Sequence, residues 1–250
     1  MQFQLFDDLI PELRKLMDNW PRETINHQVA TGSPTTWPQK RNKNIVFQSD
    51  TAVELGSPDQ ESVSFILWTN DLSLVNQDTF TLNGPDIPDA QEGSLPFGKV
   101  IILGGSGFNE DNAYQRHQEI ELARYDLNLE GYMIRAASQY MREWSRISKN
   151  ALQNGFNFRT LANSLRDLYL GFDYIHRVET VFLTSSLYEV QQLSEIGKKA
   201  TDRIIAMNRI ADQMDFDCES CDLREVCDET VELRKMHRKR MKQSLEKPTN

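Results

Sequence analysis

The chain has 250 residues, of which 39% are hydrophobic and 26% are charged, a balance typical of a globular protein with a buried core. Its formal net charge of −9 argues against nonspecific nucleic-acid binding, which depends on an excess of basic residues. The chain has no apolar run of about 18 residues, and its N-terminus lacks the features of a signal peptide, so we expect a cytoplasmic protein without membrane spans.

The N-terminal residues are predicted to form a helix and an arm. Apolar side chains recur every three or four positions between residues 3 and 18, which is typical of an amphipathic helix that Pro11 bends or interrupts. Residues 19–43 are polar and rich in proline, and we expect an irregular arm there. Trp20 and Trp37 are expected to anchor the arm, because exposed tryptophans are uncommon.

Short runs rich in β-branched and aromatic residues predict strands. They lie at residues 45–47, 63–68, 79–82, 100–103 and 178–184. The continuously apolar run 100–103 is typical of a central buried strand. It ends in Gly104-Gly105-Ser106-Gly107, which fits a phosphate-binding turn or an ordinary tight turn. No Lys-Ser or Lys-Thr pair follows, which favours the ordinary turn.

Helical periodicity dominates the second half of the chain. The predicted helices lie at residues 112–150, with a break at Gly131, and at 158–169, 187–214 and 228–243. This order predicts an α/β or α+β fold, in which helices cover a mixed sheet and a long C-terminal helix leads to a cysteine loop. Three segments are expected: an N-terminal helix and arm (1–43), an α/β domain (44–214), and the cysteine loop with a terminal charged helix (215–250).

All three cysteines lie within residues 217–228, in the pattern C-x2-C-x5-C. They are Cys218, Cys221 and Cys227. Two thiolates separated by two residues can reach one metal centre, and a third nearby suits a [4Fe-4S] cluster or, alternatively, zinc. The remaining interpretation is a loop of reduced cysteines that pack as small apolar side chains.

Three cysteines leave one coordination position for another ligand. A carboxylate such as Asp228, the imidazole of His237, a small molecule or a second chain could supply it, and His237 would complete a zinc site. We therefore expect a protein partner or a homo-oligomer. The other histidines are scattered and form no metal-binding pair, and the basic run 234–240 is expected to be solvated or to dock an acidic partner.

Three arginines would share one face of the predicted helix 112–150. Arg135, Arg142 and Arg146 follow one another at intervals of seven and four residues, beside Trp144. The interpretation that we favour is structural, with a core tryptophan and arginines that pair with nearby glutamates. The glutamates considered are Glu119, Glu121 and Glu143. The alternative is a site for an anionic ligand.

The segment around these arginines resembles acetyl-CoA synthase, the nickel–iron beta subunit of the CO dehydrogenase/acetyl-CoA synthase complex. The resemblance rests on residues 131–135, on Trp-x-Arg-x-Ser-Lys at 144–149 and on Gly-Phe-x-Phe at 155–158, and it covers roughly residues 80–185. It implies a similar fold. In that family, arginines and a tryptophan of this region are associated with coenzyme A. The implied contacts to a coenzyme A-like anion are Arg135, Arg142, Trp144 and Arg146.

The resemblance extends loosely to the cysteines. Cys218 and Cys221 match the C-x2-C pair that holds a [4Fe-4S] cluster in the family, and Cys227 matches the third cysteine at a shorter spacing. The chain has no fourth cysteine and no Cys-Gly-Cys motif, which holds nickel in the family. The resemblance therefore implies an iron–sulfur cluster without the nickel site.

Three functions fit these patterns. The first is an iron–sulfur accessory, electron-transfer or assembly protein of anaerobic one-carbon and CO metabolism. The second is an enzyme in which the open iron of a three-cysteine cluster binds substrate. The third is a protein-interaction module that is stabilised by zinc or contains no metal. The residues do not decide whether the chain is an enzyme.

Overall fold

Two mixed β-sheets flanked by helices make up the described part of this computed structural model, which confirms the predicted fold class. The described residues are 3–20, 25–29, 37–38, 45–90, 93–137, 141–185, 187–212 and 221–245.

The larger sheet has five strands. In spatial order they are β1 (Ile25–Val29), β4 (Thr79–Asn83), β9 (Ile175–Leu183), β6 (Phe97–Gly105) and β3 (Ser62–Thr69). β3 runs parallel to β6, and β4 runs parallel to β9, whereas the other two pairs are antiparallel. Every residue of β3 and β6 is buried, so the predicted central strand at 100–103 is confirmed within a longer one.

The smaller sheet has four strands. In spatial order they are β5 (Gly93–Leu95), β2 (Thr51–Leu55), β8 (Glu143–Ser148) and β7 (Tyr132–Ala137). β8 is antiparallel to both of its neighbours. Hydrogen bonds from Ser62 and Ser64 on β3 to Glu143 hold the two sheets together.

Helices cover the sheets. They are α1 (Leu9–Asp18), α2 (Ala113–Ala123), α3 (Lys149–Gln153), α4 (Phe158–Tyr169), α5 (Leu187–Asp212), α6 (Arg224–Glu229) and α7 (Val231–Leu245). α4 has the bounds that the sequence predicts, because the side chain of Asn157 accepts a hydrogen bond from the amide of Thr160 and caps its N-terminus. α5 buries Val190 and Leu193 and packs against β3, α1 and α7. Among the described residues, no helix is both long enough and apolar enough to cross a membrane.

The predicted helix over 112–150 is wrong beyond α2. After Ala123 the chain forms β7 and β8, a strand pair that the sequence did not predict. A half-buried strand is normally recognised by alternating apolar and polar residues. In β8 the buried positions include the polar residues Glu143 and Ser145, so the sequence does not show this alternation. Trp144, on the outer face, instead fits an apolar pattern with helical spacing, which is why the sequence predicted a helix in this region.

Two smaller expectations also change. Residues 45–47 form no strand and lead instead into β2 through a short 3-10 turn, and residues 25–29 of the predicted irregular arm form β1.

Both tryptophans anchor the chain as expected. Trp20 is buried, and Trp37 packs edge-on against Phe156 and donates from Nε1 to the carbonyl of Glu130 at 2.9 Å.

The basic run on α7 makes contacts within the protein. Lys239 Nζ lies 2.8 Å from Asp111 Oδ1, and Arg240 donates to the carbonyl of Ala211 at 3.0 Å. These contacts tie α7 to the loop before α2 and to the end of α5, so this part of the run is not simply solvated.

Candidate functional site

Strand β8 presents different side chains to its two faces. Glu143, Ser145 and Ile147 point inward and are completely buried. Trp144 and Arg146 alternate with them and lie on the outer face of the smaller sheet. The candidate ligand contacts therefore lie opposite a buried polar layer.

Two guanidinium groups lie close to the indole ring of Trp144. The Cζ atoms of Arg135 and Arg146 are 5.5 and 5.1 Å from the ring centroid, within range of a cation–π interaction. Arg146 is buried and donates from Nε to Glu54 Oε1 at 2.7 Å. Arg135 lies at a bulge in β7 and is exposed. We call Arg135, Trp144 and Arg146 the Trp144 face.

Two groups on the Trp144 face have unused binding capacity. The indole Nε1–H of Trp144 is buried and has no hydrogen-bond partner among the described residues. Arg135 makes its cation–π contact but no ion pair within the same part of the chain. An unpaired buried donor beside an uncompensated guanidinium is an environment in which an anionic acceptor can bind.

Arg142 lies apart from the Trp144 face. Its Nη2 donates to the carbonyl of Ser57 at 3.1 Å and also to that of Gln60, so its guanidinium holds the turn before β3. The expected pairing of the arginines with Glu119, Glu121 or Glu143 is wrong, since Arg146 pairs with Glu54. The partners differ because this region is a strand pair rather than a helix.

The inner face of β8 carries a buried ion pair that sequence analysis missed. Lys99 Nζ of β6 lies 2.6 Å from Glu143 Oε1, and both side chains are at most 2% exposed. Ser64 Oγ donates to Glu143 at 3.2 Å, and the Tyr132 hydroxyl lies 3.3 Å from the same carboxylate. Burial and the Glu143 charge raise the pKa of Tyr132 well above its usual value.

Opposing effects act on the two charged groups. Burial raises the pKa of the Glu143 carboxyl, but the charge and hydrogen bond of Lys99, the Arg124 charge and the Ser64 hydroxyl together outweigh burial, so the pKa lies below its usual value. Burial lowers the pKa of Lys99, and Glu143 offsets this in part. The pair joins β6 of the larger sheet to β8 of the smaller sheet.

The sequence offers one indication of this ion pair, which is a lysine directly before the apolar run 100–103. It does not show which carboxylate pairs with that lysine.

The cysteine loop is only partly described. Cys221 and Cys227 are both partly buried and pack against the edge of the hydrophobic core. Arg209 Nη1 of α5 lies 3.7 Å from Cys221 Sγ and also donates to Asp222. Glu225, Cys227 and Asp228 lie on α6, so this part of the predicted loop is helical. Asp222, Glu225 and Asp228 are exposed, as expected for acidic side chains.

The described residues do not complete a metal site. They supply two of the three predicted thiols, and no group of three His, Cys, Asp or Glu side chains among them is arranged to hold a metal ion. Cys218 lies outside the described residues, and His237 lies on α7. The cluster therefore stays a prediction from the cysteine spacing.

The glycine-rich turn after β6 uses its backbone groups internally. The amide of Ser106 donates to the carbonyl of Tyr174 at 2.9 Å, and that of Phe108 donates to Asn70 Oδ1 at 3.1 Å. The amide of Asn109 donates to Asn112 Oδ1 at 3.0 Å. These donors are unavailable to a phosphate, so the structure favours the ordinary turn.

Comparison with known proteins shows that the Trp144 face lies within a segment that matches a family model. A family model described as the CO dehydrogenase/acetyl-CoA synthase complex beta subunit matches residues 38–187, more than half of the chain. The match extends further towards the N-terminus than the resemblance noted from residue 80, and it ends before the cysteines.

A curated relative gives the same result. The acetyl-CoA decarbonylase/synthase complex subunit beta of Methanopyrus kandleri is 30% identical over 126 residues. The alignment covers 50% of this chain and 26% of the relative, so the chain spans about a quarter of that protein's length. Because the family match covers most of the domain that contains both sheets, the chain belongs to the CO dehydrogenase/acetyl-CoA synthase complex beta subunit family.

Proposed function

We propose that the chain binds a coenzyme A-type anion on the Trp144 face, as an accessory component of one-carbon and CO metabolism that works with a protein partner. The observation that carries this proposal is the Trp144 ring with two guanidinium groups near it, within the segment that matches the family. The family relationship supports the metabolic context and the expectation of a partner.

The chemistry of the face suits such a ligand. A purine ring can stack on an indole, which typically contributes about 1–3 kcal/mol, and guanidinium groups bind phosphates through paired hydrogen bonds. Arg135 is exposed, so it can reach a phosphate without breaking an internal ion pair. Arg146 is held by Glu54 and would orient the indole rather than supply the main positive charge.

Calorimetric titration of the full chain with coenzyme A tests the proposal. Arg135→Gln should weaken binding about tenfold, because a hydrogen bond to a charged group is worth about 1.5–3 kcal/mol. Arg142→Gln is the matched control and should leave the affinity unchanged, since Arg142 holds the turn at Ser57. Equal affinities for both variants, or no binding by the unmodified chain, would contradict the proposal.

We further propose that Cys218, Cys221 and Cys227 hold a [4Fe-4S] cluster. The observation in its favour is the Arg209 guanidinium beside Cys221 Sγ, since hydrogen bonds to cluster sulfurs tune the reduction potential. Such a cluster would supply one-electron transfer. Its fourth ligand would come from a partner, a second copy or a small molecule, and zinc with His237 is the competing proposal.

Metal analysis of protein purified without oxygen separates these alternatives. Cys218→Ser, Cys221→Ser and Cys227→Ser should each lose most of the bound iron, because each removes one of only three thiolates in the chain. Ser220→Ala, between the first two cysteines, should retain it. Unchanged iron content in all three serine variants would exclude the site. Stoichiometric zinc in a colourless protein would instead favour the zinc-stabilised protein-interaction module.

A further inference from the structure

A small cavity lies between β3, α2 and α5. Its volume is about 210 Å³, and its apolar wall includes Phe65, Ile66 and Ile204. Water occupies ~30 Å³ in the liquid, so the cavity has room for a ligand of roughly half a dozen heavy atoms. Its polar wall carries Ser64 and His117 and the paired side chains of Glu121 and Arg124.

His117 lines this wall and is held by a hydrogen bond from Trp68. The side chain is 7% exposed, and its Nδ1 accepts a hydrogen bond from Trp68 Nε1 at 3.3 Å. That bond leaves the ring proton on Nε2, which has no hydrogen-bond partner among the described residues. Burial lowers the pKa of His117 to about 3, so the ring is neutral near pH 7.

The charges around the cavity balance. Arg124 pairs with Glu121, and Ser64 connects the wall to Glu143, which is neutralised by Lys99. A charged ligand would therefore find no unpaired counter-charge among these groups, and desolvating a charge without one is costly. The cavity therefore suits an uncharged ligand with one acceptor for the imidazole N–H and an apolar remainder.

The backbone at the cavity wall is constrained. Met141 has φ +64, in the left-handed region that residues other than glycine rarely adopt, and its carbonyl accepts from the Ser64 amide. Such conformations persist where the surrounding structure holds them, often at ligand sites.

We propose that this cavity binds a small uncharged carbonyl compound, such as a short-chain amide or ketone, whose oxygen accepts from His117 Nε2–H and whose alkyl part packs on Ile66 and Ile204. The site is separate from the Trp144 face and does not depend on the proposed function.

Nuclear magnetic resonance of the ¹⁵N-labelled full chain tests the proposal, with the Trp68 indole N–H as reporter. Butyramide should shift this resonance saturably, whereas butyrate and butylammonium, of similar shape, should bind about tenfold more weakly because of their charge. In His117→Asn the side-chain oxygen can accept from Trp68, whereas the amide N–H lies one bond short of the Nε2 position, so butyramide binding should weaken about fivefold.

Two neighbouring residues of α5 provide the matched variants. Ile204→Phe should fill the cavity and abolish the shift, whereas Ile205→Phe, at the adjacent exposed position, should leave it unchanged. No saturable shift with the unmodified chain, or binding that survives Ile204→Phe, would overturn the site. Tightest binding of butyrate or butylammonium would overturn the ligand class.

Discussion

Replacing Glu143 with glutamine is expected to lower the free energy of unfolding by about 3–5 kcal/mol, because it leaves a buried ammonium without its counter-charge. Lys99 and Glu143 are both essentially inaccessible to water. The carboxylate also accepts from Ser64 and lies within reach of the Tyr132 hydroxyl, so several polar groups lose a charged partner at once.

Urea unfolding monitored by circular dichroism measures this loss. Glu12→Gln is the control, because the Glu12–Lys199 pair is exposed and such pairs contribute about 0–1 kcal/mol. A double variant, Lys99→Met with Glu143→Leu, should recover much of the stability, since it removes both charges together. A loss for Glu143→Gln no greater than that for Glu12→Gln would show that the pair does not hold the sheets together.

Acidification is expected to destabilise the protein through His117. The pKa of this imidazole is about 3 in the folded chain, against the usual 6.5. Between these values the unfolded chain binds a proton that the folded chain does not, so stability falls as the pH falls. The loss from this group alone should be about 2 kcal/mol between pH 7 and pH 5.

Comparison with His117→Asn isolates this contribution. The asparagine does not titrate and offers an oxygen to the Trp68 indole N–H, whereas the carboxylates titrate equally in both proteins. The unmodified chain should therefore lose about 2 kcal/mol more than the variant over that pH range. Parallel pH profiles would show that His117 is accessible to protons in the folded state.

Much of the fold was predictable where local pattern and burial agree. The strand at 100–103 and helix α4 follow from a continuous apolar run and from a capped amphipathic repeat. β7 and β8 were not predictable in this way, since Glu143 and Ser145 take positions that an apolar strand pattern would fill. Their burial depends on Lys99, which is 44 residues away in the sequence.

The candidate sites also differ in whether their residues could be predicted from local sequence pattern. The three cysteines were predicted as a site from spacing alone, because they lie within residues 217–228 of the sequence. Trp144 and Arg146 were predicted as ligand contacts from a family resemblance. The sequence placed them on a helix rather than on β8, and it did not identify Glu54 as the partner of Arg146. The role of His117 could not be predicted, since it depends on the Trp68 bond and on a cavity formed by three separate elements.

The most direct test of the Trp144 face is the indole N–H resonance of Trp144, assigned with Trp144→Phe, during titration with coenzyme A. This buried donor has no hydrogen-bond partner among the described residues, so a bound acceptor should shift its resonance strongly. We expect a saturable shift that requires about tenfold more coenzyme A in Arg135→Gln. A resonance that does not move at concentrations where calorimetry shows saturation would place the ligand elsewhere and contradict the proposed site.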